Sequence, residues 1–106
     1  MNNDYKFISL DESRDGKTKY MATFINLNTG KIKTVRFGSY GYGDFPYWVQ
    51  EIGLEKAKIK KRNYLARHLP REDWTDLISR GALSRYILWS KPTIEESFND
   101  YINKFE

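Results

Sequence analysis

The chain has 106 residues, with 18 Lys and Arg against 14 Asp and Glu, one histidine and no cysteine. This length predicts one small basic domain over residues 1–106, and 40% hydrophobic with 16% aromatic residues excludes a disordered chain. The absence of cysteine excludes disulfide scaffolds, thiol nucleophiles and thiolate zinc sites. No segment resembles a membrane helix, and Met1-Asn2-Asn3-Asp4 does not begin a signal peptide. We therefore expect an intracellular protein that is not secreted and does not engage a membrane.

Three short β-prone segments occupy the first third of the chain. Tyr5–Leu10 is the first, and a polar stretch over residues 11–16 ends it. Lys19–Leu27 and Lys31–Phe37 flank Asn28-Thr29-Gly30, a turn with glycine where a positive φ is needed. The pattern predicts a hairpin, and with the earlier strand a three-stranded antiparallel sheet.

The segment Gly38–Pro46 interrupts this pattern. Its three glycines and one proline do not sustain a regular element. The glycine spacing matches neither a dinucleotide-binding turn nor a P-loop, which favours an irregular structural loop over a phosphate cradle. Tyr40, Tyr42 and Phe45 predict that the loop is pinned onto the body of the protein.

The rest of the chain is helical in character. Tyr47–Leu69 has a helix-forming composition. Gly53 weakens its beginning and Pro70 stops its end, so the firm part is predicted over Leu54–His68.

Further helices are predicted towards the C-terminus. One starts near Arg71–Trp74, where acidic residues suit the helix dipole, with an interruption at Gly81. The last is capped by Thr93, and Glu96 completes a capping box. Its apolar stripe consists of Ile94, Phe98, Tyr101, Ile102 and Phe105. Trp74 and the run Tyr86–Trp89 are also expected in the core. The fold class is thus α+β: a small N-terminal three-stranded antiparallel sheet covered by three or four C-terminal helices.

The charge is distributed unevenly. Residues 56–71 hold seven basic side chains and no acidic one, whereas the preceding segment is balanced and the following one is acidic. Such a helix repels itself, and an anionic partner relieves the repulsion. Nucleic acid is the natural candidate, because each neutralised phosphate releases counterions. The alternative is a solvated helix face. The seven residues are Lys56, Lys58, Lys60, Lys61, Arg62, Arg67 and Arg71.

Their spacing predicts a row of positive charge along a phosphate backbone. On a helix, Lys56, Lys60 and Arg67 fall on one stripe. The residues expected to flank this stripe are Lys58, Lys61 and Arg62. Tyr64 and His68 are candidates for stacking or hydrogen bonding near this row. Lys31 and Lys33 of the hairpin are candidates for additional phosphate contacts.

Catalytic chemistry has little support in the sequence. His68 is the only histidine, which excludes paired-histidine zinc and nuclease sites. No serine-hydrolase or P-loop motif occurs. Asp73 and Asp76 more plausibly serve a helix N-terminus than bind magnesium. We expect a non-enzymatic protein with no catalytic residue, cofactor or metal.

Several segments, taken in order, resemble a family of small uncharacterised proteins from large double-stranded DNA viruses of eukaryotes, of the phycodnavirus and mimivirus type. The resemblance covers about Lys17 to Phe105, and the segments are KYMATFINLNTGKIKTVRFG, GYGDF, NYLARH, EDW, GALSRYILW and DYINKF. It implies a viral origin and a compact basic domain, located in the infected host cell with the virion as a second option. It brings no established activity. Residues 46–50 are apolar where family members are polar, which suggests a partner surface or local packing.

Arg67, His68 and Arg85 belong to the motifs that carry this resemblance. Their apolar neighbours predict that they are partly buried and paired, with Asp44 or Asp73 as carboxylate partners. Such pairs would order the junction between helix and loop.

Two functions follow as hypotheses. The first is a non-enzymatic viral protein that binds nucleic acid, DNA in preference to RNA, through phosphates without strong sequence preference. The second is a virion-associated structural or adaptor protein that engages a viral or host protein through the aromatic loop 40–49. Its contact residues would be Tyr40, Tyr42, Tyr47 and Trp48.

Overall fold

Three strands followed by four α-helices make up the part of the chain that the computed structural model describes, residues 4–105. Residues 1–3, on which the signal-peptide expectation rests, and Glu106 lie outside the described residues. The elements are β1 (Tyr5–Glu12), β2 (Thr18–Asn26), β3 (Ile32–Ser39), α1 (Phe45–Ile52), α2 (Leu54–His68), a 3₁₀ turn (Leu69–Arg71), α3 (Arg80–Leu83), a π-helical turn (Ser84–Leu88) and α4 (Ile94–Phe105). This architecture confirms the α+β prediction.

The sheet is antiparallel in the order β1-β2-β3. Its hairpin turn forms because Gly30 adopts a φ of 74°. The Asn26 side chain closes the turn by accepting from the backbone N–H groups of Asn28 (2.8 Å) and Thr29 (3.1 Å). The turn predicted from Asn28-Thr29-Gly30 is therefore confirmed.

The core lies between one face of the sheet, the apolar stripe of α4, and the buried residues of α3 and the π-helical turn. Phe24, Phe37 and Tyr101 are fully buried. Phe7 lies between sheet and helix, with its ring centroid 5.6 Å from that of Phe24 and 5.4 Å from that of Phe98. The predicted start of α4 is also confirmed, because the Thr93 hydroxyl accepts from the Glu96 N–H (3.2 Å) and bonds the Glu96 carboxylate (2.9 Å).

Residues 72–79 form turns, so the helix predicted to start near Arg71–Trp74 is wrong. Asp73 accepts from the Thr75 N–H at 3.0 Å, and the Thr75 hydroxyl and N–H together hold the pKa of Asp73 below its usual range. Asp76 accepts from the Ile78 N–H at 3.4 Å. Both carboxylates therefore close local turns, which compete with helix formation, instead of serving a helix N-terminus.

The next helix starts later than predicted. Ser79 caps α3, its Oγ accepting a backbone N–H of the first turn at 3.1 Å. Gly81 lies within α3 and does not interrupt it. The helix continues into the π-helical turn, where the Trp89 N–H donates to the Ser84 carbonyl five residues earlier (3.2 Å). Ile87 and Trp89 are buried, as predicted for this run.

α1 and α2 follow the loop at the far end of β3. Asp44 caps α1 by accepting from the Tyr47 N–H (3.0 Å), and Gly53, with φ 88°, separates the two helices. The bounds of α2 match the predicted Leu54–His68. Within residues 4–105, no helix is both long and apolar enough to cross a membrane.

Candidate nucleic-acid interface

α2 packs on the body through a narrow inner face. Its buried residues are Ala57 and Tyr64. Lys61 lies on the same face, where its Nζ donates to the Ser90 carbonyl (2.8 Å) and sits 5.2 Å from the centroid of the Phe45 ring. Burial, followed by repulsion from Arg85, lowers the pKa of Lys61. This lysine is engaged in packing and does not flank the outer stripe as expected.

The other basic residues of α2 occupy two separate sides of the helix. Lys56, Lys60 and Arg67 are exposed along one side. Lys58 and Arg62 are also exposed but lie roughly 120–180° away around the axis, at about 100° per residue. They therefore do not flank the stripe. We call Lys56, Lys60 and Arg67 the basic stripe, and Lys58 and Arg62 the far side, where Lys58 pairs with its neighbour Glu55 (3.4 Å).

Two of the aromatic residues proposed for partner binding, Tyr47 and Trp48, lie beside the basic stripe. The Lys60 Nζ sits 4.4 Å from the centroid of the Trp48 ring, and Trp48 contacts Tyr47 edge to face at 5.0 Å. Tyr40 and Tyr42 are 69% and 75% exposed. The loop is therefore pinned by the buried Phe45 and not by all three aromatics as predicted. The two surfaces that the sequence treated as alternatives are neighbours.

A cleft of about 580 Å³ opens between the β3–α1 loop, the C-terminal half of α2 and α3. Its charged and histidine lining consists of Lys19, Asp44, Arg67, His68, Glu72 and Arg80. Lys19 pairs with Asp44 at 2.9 Å and also donates to the Tyr42 carbonyl. Within residues 4–105, neither Arg67 nor Arg80 forms an ion pair. The cleft therefore carries an excess of positive charge at the end of the basic stripe.

Three stacked rings form one wall of this cleft. Trp89 and Tyr64 are nearly parallel, with centroids 4.5 Å apart, and Tyr64 stacks on His68 at 4.1 Å. Burial raises the pKa of Tyr64 to about 12. Because both faces of Tyr64 are covered, it does not offer the stacking surface expected of it. His68, whose side chain is 36% exposed, forms the outer end of the column.

Glu72 holds the imidazole of His68 in place. The His68 Nδ1–H donates to Glu72 Oε2 (2.9 Å), since a carboxylate can only accept, and Trp74 Nε1–H donates to the other oxygen (2.8 Å). The prediction that Asp44 or Asp73 pairs with these motif residues is wrong. The spacing of four residues between His68 and Glu72 could have predicted this pair, because the 3₁₀ turn keeps both side chains on one side.

Within the described residues, the remaining motif arginines form no ion pair with a carboxylate. The Arg85 guanidinium lies over the rings of Trp74 (5.4 Å) and Tyr86 (5.2 Å), and Arg67 is exposed. Arg71 is exposed in the 3₁₀ turn that follows α2.

Lys31 and Lys33 lie at the opposite end of the sheet from this surface. Lys33 pairs with Phe24 in the register of the hairpin, and its Nζ is 5.9 Å from the centroid of the Tyr5 ring. Six strand residues, or about 20 Å, separate Lys33 from Ser39 at the edge of the cleft. The hairpin lysines are thus not brought together with the basic stripe.

No group of three or more histidine, aspartate or glutamate side chains among residues 4–105 is arranged to hold a metal ion. Comparisons with models of protein families, with curated proteins and with solved structures find no match to the chain.

Proposed function

We propose that this protein is a non-enzymatic nucleic-acid-binding protein that contacts phosphates through the basic stripe, without strong preference for sequence. The observation that carries the proposal is the position of Lys56, Lys60 and Arg67 on one exposed side of α2, leading into a cleft with excess positive charge. DNA is the proposed polymer, in keeping with the resemblance to proteins of large DNA viruses and a place in the infected cell.

The spacing of the stripe suits an extended phosphate backbone. Lys56 and Lys60 are separated by about 6 Å along the axis, and Lys60 and Arg67 by about 10 Å. Each phosphate contact releases counterions and adds affinity whatever the base sequence. Tyr42, which lines the cleft and is largely exposed, offers a ring on which an unpaired base can stack. A single strand is therefore expected to bind at least as well as a duplex.

The direct test is fluorescence anisotropy with labelled single-stranded and duplex DNA at two salt concentrations. The variant K56Q/K60Q should bind roughly tenfold or more weakly, and the slope of log affinity against log salt should fall by about 1.4 for a single strand. K58Q/R62Q is the matched control, because it removes the same charge from the far side of the same helix.

The proposal fails if no binding occurs at low salt, or if the two double variants lose affinity equally. Equal losses would mean that overall charge and not the stripe attracts the polymer. Strong discrimination among unrelated sequences would contradict the phosphate-contact mode.

A second candidate is an adaptor that binds a viral or host protein, as part of the virion or of a structural assembly. The exposure of Tyr40 and Tyr42 favours it. Y40S tests this alternative, because Tyr40 does not line the cleft. Loss of a protein contact in Y40S with DNA affinity unchanged would favour the adaptor function.

A further inference from the structure

We propose that the cleft between the β3–α1 loop, α2 and α3 binds a phosphate monoester, the terminal phosphate of a nucleotide or of a nucleic-acid strand, through Arg67, His68 and Arg80. The proposed function concerns phosphate diesters along the outer stripe. The cleft shares Arg67 with the basic stripe but takes a small ligand of its own and does not involve Lys56 or Lys60, so the two proposals can fail separately.

The charged side chains of the cleft sum to a net positive charge, which attracts a phosphate dianion. Its two carboxylates are already engaged, Asp44 by Lys19 and Glu72 by His68, each at 2.9 Å. Arg67 and Arg80 then remain as cations that no carboxylate within residues 4–105 neutralises. A terminal phosphate carries about −1.5 to −2 near neutral pH. Guanidinium groups bind such oxygens in a bidentate manner.

The imidazole of His68 is fixed for a ligand on its outer side. Stacking on Tyr64 sets the plane of the ring, and the bond from Nδ1 to Glu72 sets its rotation. The ring nitrogen that remains for a ligand is Nε2, at the exposed end of the stacked column, which donates to a phosphate oxygen in the imidazolium form and accepts from the P–OH group of a phosphate monoanion in the neutral form. A histidine held in two ways is pre-organised, so little conformational freedom is lost when it binds an anion.

Glu72 is itself held in a position that leaves the cleft open. Its two oxygens are occupied by His68 and Trp74. The carboxylate approaches the backbone of Gly81 so closely that a Cβ at that position would lie 2.8 Å from Glu72 Cδ. A side chain on α3 at this point would displace the carboxylate and disturb its bonds to His68 and Trp74.

The size and the rim of the cleft fit a nucleotide end. A volume of about 580 Å³ lies within the usual range for small-molecule sites. Tyr42 lines the cleft and is 75% exposed, so its ring is free for stacking with a base. The phosphate would lie against Arg67, His68 and Arg80 while the base covers Tyr42.

The test uses the histidine as a reporter. Because the chain has one histidine, its ring protons give a single set of proton NMR signals. The probes are inorganic phosphate, adenosine 5′-monophosphate and adenosine. Both phosphate-bearing probes should shift the His68 signals saturably, and adenosine should not. R67Q and R80Q should each weaken the monophosphate roughly tenfold, whereas R62Q, on the far side of α2, should leave it unchanged.

An equal response to adenosine and its monophosphate, no saturable shift with either phosphate probe, or an equal loss in R62Q would overturn the proposal. Thermal unfolding of each variant checks that the fold is retained. Should R67Q or R80Q fail to fold, the comparison of the three probes on the unaltered protein still decides the matter.

Two further arms identify the source of the phosphate and separate this site from the stripe. A 5′-phosphorylated oligonucleotide that shifts His68 at lower concentration than its 5′-hydroxyl counterpart assigns the site to strand ends. A response to the free monophosphate alone assigns it to nucleotides. If K56Q/K60Q binds the polymer as tightly as the unaltered protein does, the proposed function fails. If the monophosphate still binds in that case, the cleft site stands.

Discussion

α4 and α2 are the two longest helices in residues 4–105, with 12 and 15 residues, and they use their side chains in opposite ways. The apolar stripe of α4 packs on the sheet, and Tyr101 at its centre is fully buried. α2 buries only Ala57 and Tyr64, and it places Lys61 on its inner face.

This difference separates residues that stabilise the fold from residues that do not. Burial of apolar surface accounts for the pattern of α4. The exposed lysines and arginines of α2 repel one another, and their contacts are few, such as that of Lys60 with the Trp48 ring. The proposed binding of an anionic partner would account for them, and the following variants test that division.

The largest effect is expected at the centre of α4. Y101A should lower the free energy of unfolding by about 4 kcal/mol, because it leaves a large cavity in the core. Y101F keeps the ring and removes only the hydroxyl, which donates to the Leu77 carbonyl at 2.9 Å, so it should cost about 1 kcal/mol. Urea unfolding measures both. Similar losses in the two variants would show that the hydrogen bond and not the ring dominates.

A smaller loss is expected for the equivalent change in α2. Y64A should lower the free energy of unfolding by about 3 kcal/mol, because Tyr64 is buried at the edge of the core, where it stacks between Trp89 and the partly exposed His68. The same urea experiment gives the value. A loss larger than that of Y101A would contradict the division between the two helices.

The basic stripe is expected to contribute little to folding. K56Q/K60Q should change the free energy of unfolding by less than about 1 kcal/mol, the main cost being the contact of Lys60 with the Trp48 ring. Thermal unfolding beside K58Q/R62Q measures it. A large loss would mean that the stripe serves the fold.

The smallest effect concerns Lys61, whose burial changes how the free energy of unfolding depends on pH. Burial places its folded-state pKa below the unfolded value, so between the two values the unfolded chain binds more protons and stability rises with pH. K61M lacks this rise, and its stability relative to the unaltered protein should therefore fall as pH increases towards about 10.4. Urea unfolding at a series of pH values shows this, with K58M as the exposed control. Parallel profiles for K61M and the unaltered protein would contradict the prediction.

Short-range signals were sufficient for much of the fold. The turn at Asn28-Thr29-Gly30, the bounds of α2 between Gly53 and Pro70, and the Thr93 cap of α4 all depend on residues a few positions apart. The Glu96 carboxylate bonds the Thr93 hydroxyl, whereas the capping box predicted a bond to the backbone N–H. Segment 72–79 was mistaken for a helix because its acidic residues also suit a helix N-terminus. Their hydrogen bonds to Thr75 and Ile78 close turns instead.

The candidate site was less accessible to sequence reasoning. The seven basic residues were identified, but their division into a stripe, a far side and the inward Lys61 depends on which face of α2 meets the body. The cleft joins Lys19 from the sheet with Arg67 from α2 and Arg80 from α3, and no spacing along the chain indicates that meeting.

The strands, the turn, the long helices and the concentration of positive charge follow from the sequence, because each of these depends on local hydrogen bonding, backbone freedom or periodicity. The contact of Glu72 with His68, the position of Trp48 under Lys60, and the meeting in one cleft of two arginines that no carboxylate within residues 4–105 pairs all depend on the tertiary structure. These arrangements arise from packing between distant segments, in which the burial of rings such as Tyr64 and Trp89 sets where the charged groups stand.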